Sequence, residues 1–340
     1  MKFLKLLFFL LLIFLIGGAI YFASKDGRYD IKETRVVQLP AAILYNTVND
    51  YKTWEHWGPW KKEDSTMTFS YDATTIGVGG GYSWDGDFPG SMKTTAAQEN
   101  TSIEQDLAIT TPGGERFSKV GWEFTPTDNG AVEVSWKVDG EHTLMDKVYF
   151  AFSGVDFEGD MRSMYQVGLE GLETYVREKM EDHSVSISGI TEYGGGFYLY
   201  KTTSASGTNI SNIMAQNYGT IMQFMNQKGI KQSGMPFTIY NEMNPNGNII
   251  MSNAIPVPNA IEIDEETTVL SGYLPKTKAV KVTLKGNYTY LGKAWAEAMQ
   301  YIGQYELIQS DQKPFEIYTN DPGDYPNPAD WVTDIYIPVE

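Results

Sequence analysis

The chain has no cysteine and only three histidines in 340 residues. Without a thiol there is no disulfide framework, thiol nucleophile, zinc finger, iron–sulfur site or lipidated cysteine. His56, His142 and His183 lie far apart and have no partners at metal-ligand spacing, so no metal site is expected. Basic residues are also scarce, at 26 against 43 acidic ones, for a net charge of −17. That balance argues against non-specific nucleic-acid binding and against electrostatic docking on anionic lipid. No nucleic-acid partner and no cofactor are therefore expected. Hydrophobic residues at 42% and aromatic residues at 14% suffice for packed cores and exclude a disordered chain. The length predicts two domains.

One long apolar run stands at the start. Leu6 to Ala23 carries no charge and, as a helix, spans roughly 27 Å, close to the thickness of a bilayer core. A cleaved signal peptide and a retained anchor both fit. Small residues at the cleavage positions favour a cut near Gly17 and Ala19, but Ile20, Tyr21 and Phe22 then continue the apolar run. The reading taken is an uncleaved single-pass anchor over residues 1–24. Lys25, Arg28 and Lys32 follow the span as Lys2 and Lys5 precede it, so flanking charge does not set the orientation. The short dilysine tail resembles signal anchors, which leave the soluble part extracytoplasmic.

The expected fold class is α+β. Residues 30–183 open with an alternating strand near Ile31 to Val37. Pro40 then starts a short helix, AAILYNTVND, and Trp54, Trp57 and Trp60 form an aromatic cluster. Strand patterns follow, among them MTFSYD, GYSWDGD, SIEQDLAIT, VGWEFTP and AVEVSWKVDGE, separated by glycine- and proline-containing turns. A long amphipathic helix closes the region, with Met161, Met164, Tyr165, Leu169, Leu172, Tyr175, Val176 and Met180 on one stripe. A curved antiparallel sheet gripping that helix buries the stripe and leaves a cavity between them. The element order, Leu39-Pro40-Ala41-Ala42 and Trp54-Glu55-His56-Trp57-Gly58-Pro59-Trp60 resemble the START-like, polyketide-cyclase (SRPBCC) superfamily. That resemblance implies a helix-grip fold with an apolar-ligand cavity, and brings no catalytic signature with it.

Residues 186–340 repeat themselves. Pro236-Phe237-Thr238-Ile239-Tyr240 matches Pro314-Phe315-Glu316-Ile317-Tyr318, Ile255-Pro256-Val257 matches Ile337-Pro338-Val339, and Gly207 matches Gly286. Each unit reads strand–helix–strand–strand: Phe197 to Thr203 and Ile210 to Gln227, then Ala279 to Lys285 and Tyr290 to Leu307, each followed by a hairpin. Strand alternation puts Phe315 and Ile317 under the helices, and Glu316 and Tyr318 on an opposite, groove-lining face. Tyr240 is the counterpart of Tyr318 and Thr238 that of Glu316, so the charge stands in one half only. Trp295 and Trp331 are candidate aromatic walls.

The duplication, Pro314 to Tyr318, Asn320-Asp321-Pro322 and the ending Trp331-Val332-Thr333-Asp334-Ile335-Tyr336-Ile337-Pro338-Val339 resemble the GyrI-like small-molecule-binding family, which also serves as an effector-binding domain in transcription regulators. The resemblance implies drug-like, often cationic or aromatic ligands, with Glu316 in the groove. A carboxylate among aromatics suits such a cation, through charge and cation–π contact. No helix-turn-helix region accompanies it. The ligand-binding residues expected are therefore Glu316, Tyr318, Tyr240, Trp331 and Trp295.

The leading function is a membrane-anchored binding protein for small apolar or cationic aromatic ligands, with pockets in both soluble domains. The alternative is a hydrolase or cyclase acting on apolar molecules through Glu316 and a nearby tyrosine as general base and partner. A third is an interaction module with neither pocket occupied. Gly77-Val78-Gly79-Gly80-Gly81 lacks the lysine of a phosphate loop and reads as a turn. Asp156, Glu158 and Asp160 read as the acidic start of a helix rather than a calcium loop.

Overall fold

The computed structural model describes residues 2–60, 64–244, 247–263 and 267–340. Its contacts divide the chain into two compact units, Met1–Glu178 and Lys179–Glu340.

The first unit begins with helix α1 (Lys2–Ala23). Its stretch Phe3–Ala23 is long and apolar enough to cross a membrane and none of it is buried, which fits an anchor or a signal sequence. Strands β1 (Arg28–Val37), β2 (Thr68–Tyr71), β3 (Gly81–Asp85), β4 (Gly90–Gln98), β5 (Ser102–Thr111), β6 (Gly114–Pro126) and β7 (Val132–Glu141) form one antiparallel sheet in the order β1-β7-β6-β5-β4-β3-β2. Helices α2 (Ala41–Asn49) and α3 (Trp54–Trp57) follow β1, with Pro40 at the N-cap of α2. After β7 come α4 (Leu144–Ser153) and the long α5 (Phe157–Met180). Asp156 accepts from the Gly159 amide at 3.1 Å, and Glu158 and Asp160 occupy the first turn of α5, as acidic residues at a helix N-terminus should.

The stripe on α5 meets the sheet through Tyr165, Gly168, Leu169, Leu172 and Val176, all buried. Tyr165 stacks on Trp136 of β7 at 4.0 Å between ring centroids. Gly168 makes this approach possible, since a Cβ there would sit 2.5 Å from the Trp136 ring. Between helix and sheet stand Trp54, Trp57, Trp122 and Trp136, each at most 3% exposed and in ring contact with one another and with Trp60. The cluster is pinned by Trp54 Nε1 donating to the Val48 carbonyl and by Gln105, which joins Trp122 Nε1 to the Tyr51 hydroxyl. Burial pushes the Tyr51 hydroxyl up to about 12. His56, exposed, stacks on Tyr175.

The second unit contains an eight-stranded antiparallel sheet in the order β12-β9-β11-β10-β14-β15-β13-β8. Strand β8 (Ser184–Tyr193) precedes two like units. The first is β9 (Gly196–Ser206), α6 (Ile210–Lys228), β10 (Phe237–Met243) and β11 (Asn248–Val257). The second is β13 (Thr277–Lys285), α7 (Leu291–Gln304), β14 (Phe315–Tyr318) and β15 (Val332–Pro338), with β12 (Leu270–Leu274) between them. The strand–helix–strand–strand reading of each unit is thus observed. The two join centrally, where Thr238 of β10 lies opposite Glu316 of β14. A local two-fold relates antiparallel neighbours, so the duplicated halves meet at this residue pair. The Gly207–Gly286 correspondence is displaced by two residues: α6 and α7 start at 210 and 291, an offset of 81, which aligns buried Asn217 and Ile221 with buried Ala298 and Ile302.

Candidate functional site

The side-chain directions in β14 reverse the alternation reading. Val280, Val282 and Leu284 of β13 and Ile335 and Ile337 of β15 pack against Ala294, Ala298 and Ile302 of α7, so this is the helix-bearing face. Glu316 lies directly opposite Ile335, and paired residues share a face. Glu316 and Tyr318 therefore point toward the helices. Phe315 and Ile317 point the other way, into a cluster contributed by strands alone, with Phe237, Ala254, Ala279 and Tyr336.

Glu316 is 1% exposed. Its Oε1 accepts from Trp295 Nε1 of α7 at 2.5 Å, and its Oε2 accepts from the Tyr240 hydroxyl at 2.7 Å and the Tyr318 hydroxyl at 3.0 Å. Among the described residues no basic side chain pairs with it. Burial raises its pKa, and the three donors only partly offset that. Burial, reinforced by the charge on Glu316, also drives the Tyr240 and Tyr318 hydroxyls well up, so both remain protonated donors.

Around the carboxylate, Tyr240 meets Trp295 edge to face at 5.5 Å, and Tyr318 meets Tyr288 at 5.7 Å and Tyr218 at 6.4 Å, also edge to face. Of the five residues expected here, Glu316, Tyr318, Tyr240 and Trp295 come together in direct contact. Trp331 stands one ring further out, against Tyr288 at 4.7 Å, with its Nε1 donating to the Tyr325 carbonyl.

Sequence reasoning missed Tyr218, Tyr288 and a buried polar chain behind them. The Thr238 hydroxyl lies 3.0 Å from the Tyr218 hydroxyl and accepts from Asn253 Nδ2 at 2.9 Å. Asn253 in turn accepts from Asn217 Nδ2 at 2.8 Å, and Asn217 also bonds Thr203. Asn217 on the buried stripe of α6, where an apolar residue belongs, is the one signal that could have revealed this chain. Thr333, fully buried and opposite Tyr318 in the β14–β15 register, has a hydroxyl without a hydrogen-bond partner among the described residues.

Chemically, this is an acid held away from water, with one indole N–H and two tyrosine hydroxyls directed at it. Both carboxylate oxygens are engaged, and the positive partner that a buried carboxylate calls for is missing among the described residues.

Residues 197–340 match the family model described as a GyrI-like small molecule binding domain. Among solved structures, the EcmrR C-terminal domain is 19% identical, over 46% of this chain and 98% of that one, at a TM-score of 0.41. An EcmrR–DNA complex solved by cryo-EM is 18% identical, over 58% and 78%, also at 0.41. Protein CV1439 from Chromobacterium violaceum is 14% identical, over 43% and 95%, at 0.34. No curated protein matches the chain. The second unit thus carries a GyrI-like small-molecule-binding domain over residues 197–340, with Glu316 at the junction of its two halves.

Proposed function

We propose that the chain is a membrane-anchored binding protein that receives small cationic aromatic ligands at Glu316. The observation that carries this reading is the buried carboxylate with no basic partner among the described residues, enclosed by Tyr240, Tyr318 and Trp295. A buried ionised carboxylate is costly, and an arriving cation relieves that cost while the rings contribute cation–π contact. The unpartnered Thr333 hydroxyl offers a further polar contact. Helix α1 would be retained as the anchor, with the soluble part extracytoplasmic. The sheet and long helix of the first unit support a START-like reading, with its packed indoles as the apolar surface for a ligand there.

The experiment is a titration of the full chain with a cationic aromatic dye and a neutral analogue of the same shape. Wild type should prefer the cation, and Glu316→Gln should abolish the preference while the protein stays folded. An equal preference in both proteins would remove Glu316 as the receptor. The second reading, hydrolysis or cyclisation with Glu316 as general base, draws on the tyrosine hydroxyls that contact the carboxylate. It predicts turnover of electrophilic substrates that Glu316→Gln abolishes; equal turnover by both proteins would eliminate it.

A further inference from the structure

Helix α4 is amphipathic in the wrong sense for a water-soluble surface. None of its residues is buried. Its inward side is polar or tethered: Asp146 takes a two-pronged hydrogen bond from Arg116 at 2.6 and 2.8 Å and forms a capping box with Thr143. Phe150 packs on His142 at 4.9 Å and Phe157 at 5.4 Å. Its outward side is apolar. Met145, Tyr149 and Phe152, spaced i, i+4, i+7 and so on one face, are 65%, 58% and 79% exposed. Water is a poor partner for such a stripe on a short helix.

The position of α4 supplies the partner. Phe152 meets Phe22, in the last turn of α1, at 6.0 Å between ring centroids. Lys147 Nζ donates to the Lys25 carbonyl at 2.6 Å, and the His142 amide to the Gly27 carbonyl at 2.8 Å. These bonds fix α4 at the level where the apolar helix ends. In a bilayer that level is the headgroup layer, about 5–8 Å deep on each side.

We propose that α4 is a membrane-interface helix that lies beside the end of the span with Met145, Tyr149 and Phe152 in lipid, and so seats the first unit on the bilayer surface. The proposal rests on the reading of α1 as a membrane anchor. The occupant is the acyl–headgroup boundary itself, because the stripe is uncharged and the chain as a whole is acidic. Zwitterionic lipid therefore suffices.

The absence of cysteine makes the test direct. Single variants Phe152→Cys, Met145→Cys, Leu12→Cys and Asp128→Cys of the full chain take a nitroxide label and enter phosphatidylcholine nanodiscs. Leu12 reports the span, and Asp128 lies in the turn before β7, roughly 30 Å along that strand from α4. Collision with molecular oxygen is compared with collision with a water-soluble nickel complex. The expected result is oxygen in excess at 12, 145 and 152 and nickel in excess at 128. Oxygen in excess at 12 with nickel in excess at 145 and 152 would overturn the interface helix and leave the anchor standing. Labels at 145 and 152 shielded from both reagents would overturn it in favour of a protein partner or a second copy. Nickel in excess at 12 would overturn the anchor reading, and the proposal with it.

Discussion

The two halves of the duplicated region share a backbone and divide the chemistry between them. In the first, the interface between α6 and its strands contains a hydrogen-bonded chain, Thr203–Asn217–Asn253–Thr238, and the central strand ends in a neutral hydroxyl. In the second, Ala298 stands where Asn217 does and Ile335 where Asn253 does, the interface is dry, and the central strand carries a carboxylate. The dry half desolvates Glu316, which is the largest influence on its titration. The polar half holds Thr238 and, through it, the Tyr318 hydroxyl that faces Glu316. A duplicated fold thereby carries a one-sided charge, single because its two-fold mate is threonine.

The most damaging way to break this asymmetry is to restore the symmetry. Thr238→Glu sets a second carboxylate opposite the first, where two like charges cannot both ionise without cost. At neutral pH the loss should be on the order of 3 kcal/mol in urea unfolding, the scale of an uncompensated buried charge. Both folded-state pKa values lie above their unfolded ones, so the folded chain holds more protons and the loss should shrink as the pH falls. A loss that ignores pH would contradict the argument.

Making the first half dry should cost less. Asn253→Ile removes one of the two partners of the Asn217 amide and one partner of the Thr238 hydroxyl, for about 1–3 kcal/mol. Adding Asn217→Ala, the residue at the matching place in the second half, should return part of that stability, and purely additive losses would count against a coupled chain. Glu316→Gln sharpens the comparison from the other side. The raised pKa of Glu316 means that folded-state stability declines as pH rises through and above the ordinary carboxylate range. The melting temperature of Glu316→Gln relative to wild type should accordingly increase from acid to neutral pH. The smallest effect belongs to Trp331→Ala. Separated from Glu316 by Tyr288 and Tyr318, this indole lies beyond the roughly 6 Å reach of a cation–π contact with a cation at Glu316, so dye affinity should change by about twofold at most.

Much of the second unit was legible because its repeats are written in residues: Pro-Phe-x-Ile-Tyr and Ile-Pro-Val recur at nearly constant offsets, and the strand and helix patterns between them agree. The face of Glu316 was not. Alternation distinguishes two faces only when one of them meets water, and Phe315, Glu316, Ile317 and Tyr318 are all buried, each face of this central strand being covered. Nor did the pattern reveal how closely the tryptophans of the first unit pack on one another, since an aromatic cluster can line a cavity or fill it. Helix α4 escaped for a related reason. Its apolar stripe is the outward one, so a search for core-facing periodicity gives it no partner.

The central claim is that Glu316, buried beside Tyr240, Tyr318 and Trp295, receives a cation. Calorimetric titration of a cationic aromatic dye at mildly acidic pH, repeated in buffers of different ionisation enthalpy, measures the protons exchanged on binding. A cation beside the carboxylate lowers its pKa, so wild type should release protons to the buffer as the dye binds, and Glu316→Gln should release none. Heats independent of the buffer in wild type, or the same proton release in Glu316→Gln, would contradict it.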